Sequence, residues 1–224
     1  MKTSSQSILR QLIMVWADFE SKLQQVPIIH KLLNQQLRKE HYLQMLVDHR
    51  QQVIEGSRWI AQAAASIDSK FAEHRSIFIK HAATEHLDYK MLEDNYVALG
   101  GELATIQHSE KNIGSEALSA WIFQQASKPN PFDLIGAMFI IEGLGEKFAR
   151  IFATHIKQQL DVSDKAISFY SYHSEHDEDH LQQIEELLSA ERILQIPNIE
   201  KRIIKTAKVT ARLYLLQLEE IGHY

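Results

Sequence analysis

Apolar residues recur three and four positions apart over most of this chain, the period of a helix with one buried face, and no stretch alternates apolar and polar as a half-buried strand would. The first such run, Ser5 to Gln24, carries Ile8, Leu12, Val15, Trp16 and Phe19 as its stripe and stops ahead of Pro27. A short helix through Leu37 and a long one from Lys39 to Ile67 follow, the latter holding Tyr42, Leu46, Val53, Trp59 and Ile60. Asp68 and Ser69 are suited to cap a third long helix, which the pattern carries to Gly100-Gly101. The polar stretch Thr105 to Gly114 reads as a loop before a helix with Leu118, Trp121 and Ile122. Lys128-Pro129-Asn130-Pro131 breaks the chain again, and Pro131 can open the next helix, Phe132 to about Gln159. That helix is apolar nearly all round at Met138-Phe139-Ile140-Ile141, the mark of a central element. Ser163 or Asp164 opens a sixth helix reaching about Leu188, and beyond Pro197 the last helix places Ile203, Ile204, Ala207, Leu213 and Leu216 on one stripe. Tyr214 and Leu215 fall off that stripe, a face on which a homodimer can form. The expectation is an all-α bundle of about seven helices in a single domain over residues 1–224.

Composition narrows what such a bundle can do. The chain has 224 residues, enough for a full core, and no cysteine, which removes disulfides, zinc-thiolate sites and cysteine nucleophiles together. Any metal must therefore sit on nitrogen and oxygen. A net charge of −5 with scattered basic residues gives no footprint for a nucleic-acid backbone. Neither a signal-peptide region nor an apolar run of membrane-spanning length is visible, so the expected location is the cytoplasm, with a small molecule as partner.

Two segments carry candidate chemistry. His173, Asp177 and His180 stand at i, i+4 and i+7, one stripe of a helix that turns by about 100° per residue. His81, Glu85 and Asp88 repeat the same offsets on the third helix. Imidazole and carboxylate converging without sulfur suit iron, manganese or zinc. Either stripe alone also reads as a solvated polar face, and the repetition is what favours ligation. Glu142 lies in the most apolar helix, where a carboxylate is costly unless paired, protonated or bound to metal. Glu146, one turn on, is a weaker substitute, and Gly143 and Gly145 point to something packed against the backbone there. Seven ligand-type residues exceed the needs of one metal and point to two, although one metal with several of them as outer partners fits as well.

With these residues on view, the chain resembles the heme-oxygenase-like di-iron oxidases and oxygenases, in a superfamily that also holds heme oxygenase, thiaminase II and the pyrroloquinoline-quinone synthase. The resemblance rests on His173-x3-Asp177-x2-His180 after an aromatic lead, on Glu142 in its apolar helix, and on the acidic third helix ending in Leu99-Gly100-Gly101. It implies a seven-ligand centre for two iron ions, O2 as co-substrate, Glu142 and Glu85 at the reacting metals, and oxidation of a C–H or N–H bond in a small amino-acid-like or fatty-acid-like substrate. Members usually place Glu, then Glu and His, along the third helix, whereas this chain reads His81, Glu85 and Asp88, the two ends exchanged. Two other readings share the fold: a heme-binding oxygenase with His30 as proximal ligand, and a cofactor-free oxidase of the quinone-synthase type. Trp59, Met138, Phe139 and Tyr89 are the expected pocket walls, and Glu55, beside Arg58, either meets substrate or pairs with that arginine.

Overall fold

The computed structural model describes the backbone of residues 2–222 and the side chains of 5–175 and 180–222. Helix α1 (Lys2–Leu23) buries Ile8, Leu12, Val15, Phe19 and Leu23 at helical spacing. Pro27 opens α2 (Pro27–Leu33), where its missing N–H costs nothing. Helix α3 (Lys39–Ala65) is buried on more than one side and holds Arg50, Gln51, Gln52 and Glu55 inside the protein. Arg50 donates to Glu93 at 3.0 and 2.7 Å, so both ends of that buried pair are satisfied.

The third long helix is broken. A 3-10 turn at Ser69–Phe71 leads into α4 (Ala72–Thr84), a second 3-10 turn spans Glu85–Leu87, and α5 (Tyr89–Ala98) follows. Neither proline nor glycine marks the second break, which is why periodicity alone ran through it. Gly100, at φ +82°, turns the chain out of α5 in the left-handed region that glycine adopts freely. The expected loop at Thr105–Gly114 is in part helical: α6 (Leu103–His108) buries only Ile106, and α7 (Ile113–Ala126) starts where Asn112 accepts a hydrogen bond from the Ser115 N–H at 2.9 Å.

Helix α8 (Ile135–Leu160) runs through the middle, packed along α9 (Ser168–Ser189) and α11 (Ile199–Glu219), with the short α10 (Glu191–Leu194) between the last two. Together these make eleven α-helical segments among the described residues, where about seven were expected, with no strand. One continuous cluster of buried apolar side chains reaches from Ile8 to Ile221. Phe19, Phe78 and Phe132 are fully enclosed, each worth about 1.5–3 kcal/mol of burial. Tyr214 and Leu215 belong to this interior, 3% and 5% exposed, so these two residues are not available to a second copy: α11 buries a wider arc than its main stripe because α1, α7 and α8 all pack on it. No helix is long and apolar enough to cross a membrane among the described residues.

Close approach of α8 to α11 depends on Gly136, where a Cβ would fall inside the carbonyl oxygen of Ile203. Gly136→Ala is expected to destabilise the fold by about 1–3 kcal/mol, read as a lowered urea midpoint. An unchanged midpoint would mean that the two helices separate without cost. The close neighbour expected at Gly143 is the Trp16 ring of α1, 3.1 Å from where a Cβ would stand.

Candidate metal centre

Helix α9 runs against the α4–α5 segment in the opposite direction, which brings the C-terminal histidine of one stripe to the N-terminal histidine of the other. His81, in the last turn of α4, stacks on His180 with ring centroids 4.3 Å apart. Between them, from α8, Glu142 takes a hydrogen bond from His81 Nε2 at 3.2 Å and from His180 Nδ1 at 3.0 Å, one on each carboxylate oxygen. His180 Nδ1 also lies 3.4 Å from Glu85 Oε1. One ligand atom from each of His81, Glu85, Glu142 and His180 lies within 4.8 Å of the other three.

A second group forms further along. His173 Nε2 lies 3.4 Å from Asp88 Oδ2, against Phe169 at a ring distance of 4.3 Å. Seven residues of helix separate His173 from His180, about 10 Å of rise, and the 3-10 turn carries Asp88 the matching distance away from His81. The two ends of the third-helix triplet thus serve different partners, His81 with His180 and Asp88 with His173. Asp177 lies on α9 between these histidines, but its side chain is outside the described residues. Glu146 is exposed and takes no part, and Lys147 beside it pairs instead with Glu20 at 2.7 Å.

Electrostatics tie the groups together. Burial raises the pKa of Glu85 to about 8, helped by Glu142 and Asp88 and opposed by His173 and His180. Glu85 therefore feels both groups at once. Burial alone would raise Glu142 too, but the charge of His81 and the hydrogen bonds from His180 and His81 outweigh it and hold its carboxyl well below the usual range. Buried imidazoles aimed at buried carboxylates are a donor set that a first-row divalent ion fits, since the ion would stand where the N–H protons now stand and would replace the missing positive charge.

A cavity of about 90 Å³ opens beside the cluster, lined by Glu85, Glu142 and His173 and also by Trp59, Phe152 and Tyr214. Trp59 was expected there; Met138 is sealed in the core, Phe139 packs against it, and Tyr89 lies under the Arg50 guanidinium instead. Glu55 is not a lining residue and is held by Arg58 at 2.7 Å and Lys111 at 2.5 Å. His30 is exposed on α2 and lines no part of this cavity. Sequence reasoning missed His49, Gln52 and Tyr214. His49 sits between Phe169 and Tyr170, its Nδ1 3.3 Å from the Tyr170 hydroxyl, and burial with the nearby His173 pushes its pKa down to about 3. The available signal was the spacing of His49, Gln52, Gly56 and Trp59 on a single face of α3.

A domain of unknown function with a heme oxygenase-like fold, from Shewanella denitrificans, superposes with a TM-score of 0.83 at 17% identity, covering 94% of this chain and 89% of that one. A TenA homologue from Pseudomonas syringae pv. tomato gives 0.77 at 13% identity, over 97% and 93% of the two chains. Another, from Pyrococcus furiosus, gives 0.70 at 15% identity, over 96% and 98%. At these identities the likeness establishes the heme oxygenase-like fold. No curated protein matches the sequence. Residues 74–215, the stretch that carries every proposed ligand, match the profile of the iron-containing redox enzymes, and the chain belongs to that family.

Proposed function

We propose that this protein is a non-heme di-iron enzyme that uses O2 to oxidise a C–H or N–H bond of a small organic substrate in the cavity beside the cluster. The observation that carries the reading is a cluster of His81, Glu85, Glu142 and His180 beside a second pair, His173 and Asp88, with the charges of both acting on Glu85. A carboxylate so placed is suited to serve two ions, and the four acids counted with Asp177 balance the charge of two divalent irons. Bound iron, or manganese in its place, would supply the electrons that reduce O2.

The chain's own residues have separate tasks. Glu142 orients both imidazoles by accepting from each, so they face a common point before any ion arrives. Glu85, protonated at neutral pH, gives up its proton as metal enters. Trp59, Ile60 and Phe152 keep bulk water from the reacting end of the cavity. The reading with heme on His30 has no support in the position of that exposed residue.

Anaerobic Fe(II) loading followed by metal counting and Mössbauer spectroscopy tests the proposal. Two irons per chain are expected, and His180→Ala and His173→Ala should each retain about one, in different environments. Loading that is unaffected by both substitutions would sink it, and a chain that binds no iron yet oxidises a substrate would favour the cofactor-free alternative.

A further inference from the structure

The cavity is apolar except at two places: the metal-centre end, where His173 already faces Asp88 at 3.4 Å, and a patch on α3. No lysine or arginine lines it among the described residues, and positions 176–179, whose side chains lie outside the description, are His, Asp, Glu and Asp. The arginines of α3 are engaged elsewhere, Arg50 by Glu93 and Arg58 by Glu55. A carboxylate entering here would lose its water against apolar walls, with Glu142 as a like-charged neighbour and with the lining imidazole His173 already facing Asp88.

Apart from Glu85, Glu142 and His173, the polar side chains that line the cavity are neutral: His49, Gln52, Tyr170 and Tyr214. Tyr214 Oη donates to Gln52 Oε1 at 3.4 Å, which turns the carboxamide so that its NH2 has no hydrogen-bond partner among the described residues. One helical turn earlier, His49 lines the same cavity with Nδ1 3.3 Å from the Tyr170 hydroxyl; in the tautomer that accepts this hydroxyl, Nε2–H is a second donor. The volume of about 90 Å³ is below the roughly 150 Å³ cavity that admits benzene, so the enclosed part suits a short aliphatic chain.

We propose that the substrate is a small uncharged aliphatic molecule with one hydrogen-bond-accepting oxygen, and that Gln52, held by Tyr214, reads that oxygen together with His49. The inference rests on the cavity being the substrate pocket of the metal centre described above. It assigns Gln52 a specificity role and Tyr214 a positioning role.

The test uses the metal-free full chain at pH 7 with butan-1-ol, butyrate and n-butylamine, binding being measured by ligand-observed NMR. Butan-1-ol is expected to bind, with butyrate and butylamine at least tenfold weaker. Gln52→Leu should weaken butan-1-ol at least threefold without altering iron loading, and Tyr214→Phe, which keeps the ring but releases the carboxamide, should weaken it in the same direction. Butyrate or butylamine binding as tightly as butan-1-ol overturns the inference, as does an unchanged affinity in both variants or no binding by any of the three. Repeating the series after Fe(II) loading asks whether a carboxylate enters by ligating the metal; butyrate overtaking butan-1-ol there also overturns it. Iron counting on the same samples separates the two claims, because the centre can hold two irons while the probe order is wrong, and the reverse.

Discussion

Replacing Glu142 with glutamine is expected to reduce bound iron from two per chain to one or none, with what remains held at least about 100-fold more weakly. The side chain keeps its size, so packing in the middle of α8 survives, but a neutral carboxamide offers one oxygen where the carboxylate offers two. His81 and His180 each direct an N–H at a separate oxygen of Glu142. With glutamine, one imidazole faces an NH2 group and must turn away, so the pair no longer shares a focus. Circular dichroism should show an unchanged helix content, and equilibrium dialysis against Fe(II), or Mn(II) as an air-stable probe, should show the loss. Two tightly held ions in Glu142→Gln would remove this residue from the centre.

Metal-free protein should lose about 1 kcal/mol of stability between pH 6.5 and 8, and Glu85→Gln should abolish that decline. The ordinary carboxyl value for Glu85 is 4.5, and the folded state raises it to about 8, so across that window the folded chain holds a proton that the unfolded chain has released. Such a group's contribution is complete below pH 4.5 and is lost as pH rises to 8. Below pH 6.5 a second group cancels the slope: His49, pushed from 6.5 down to about 3, is neutral when folded and takes up a proton when unfolded. The depressed pKa of Glu142 places its titration below 4.5, outside this window. Stability should therefore be nearly level from pH 4.5 to 6.5 and then fall. Urea unfolding at several pH values reads both features, and a wild-type profile flat to pH 8 would contradict the protonated Glu85. The same proton must leave when metal binds, so apparent metal affinity should climb up to tenfold per pH unit as pH approaches 8, and Glu85→Gln should lose that dependence along with the metal.

The long periodic runs were enough to place α1, α3, α8, α9 and α11, because each buries a stripe whose spacing survives in the sequence. Two features were not legible. The 3-10 turn at Glu85–Leu87 contains no breaker; it is favoured by what the flanking side chains reach in space, His180 on one side and His173 on the other. Helix α6 is six residues long and buries only Ile106, so it leaves no stripe for the pattern to show. In the site, the two stripes could be read because ligand-type residues are conspicuous at repeated offsets. Gln52 and Tyr214 could not: a glutamine among polar neighbours and a tyrosine off the main stripe show their roles only once α3 and α11 meet at the cavity.

The His81, Glu85, Glu142 and His180 cluster draws on three stretches far apart in the chain, the end of α4 with its 3-10 turn, α8 and α9, and the Trp16 ring of α1 lies against Gly143 of α8. During synthesis His81 emerges long before His180, and a nascent chain lacking α9 has neither His173 nor His180 to offer. Few metal-binding proteins can acquire their ion earlier than their most distant donors permit, and here those donors are joined only by long-range packing. Iron held at the proposed centre would therefore be acquired late, after translation of most of the polypeptide, and a product truncated before α9 would lack two of its imidazole donors.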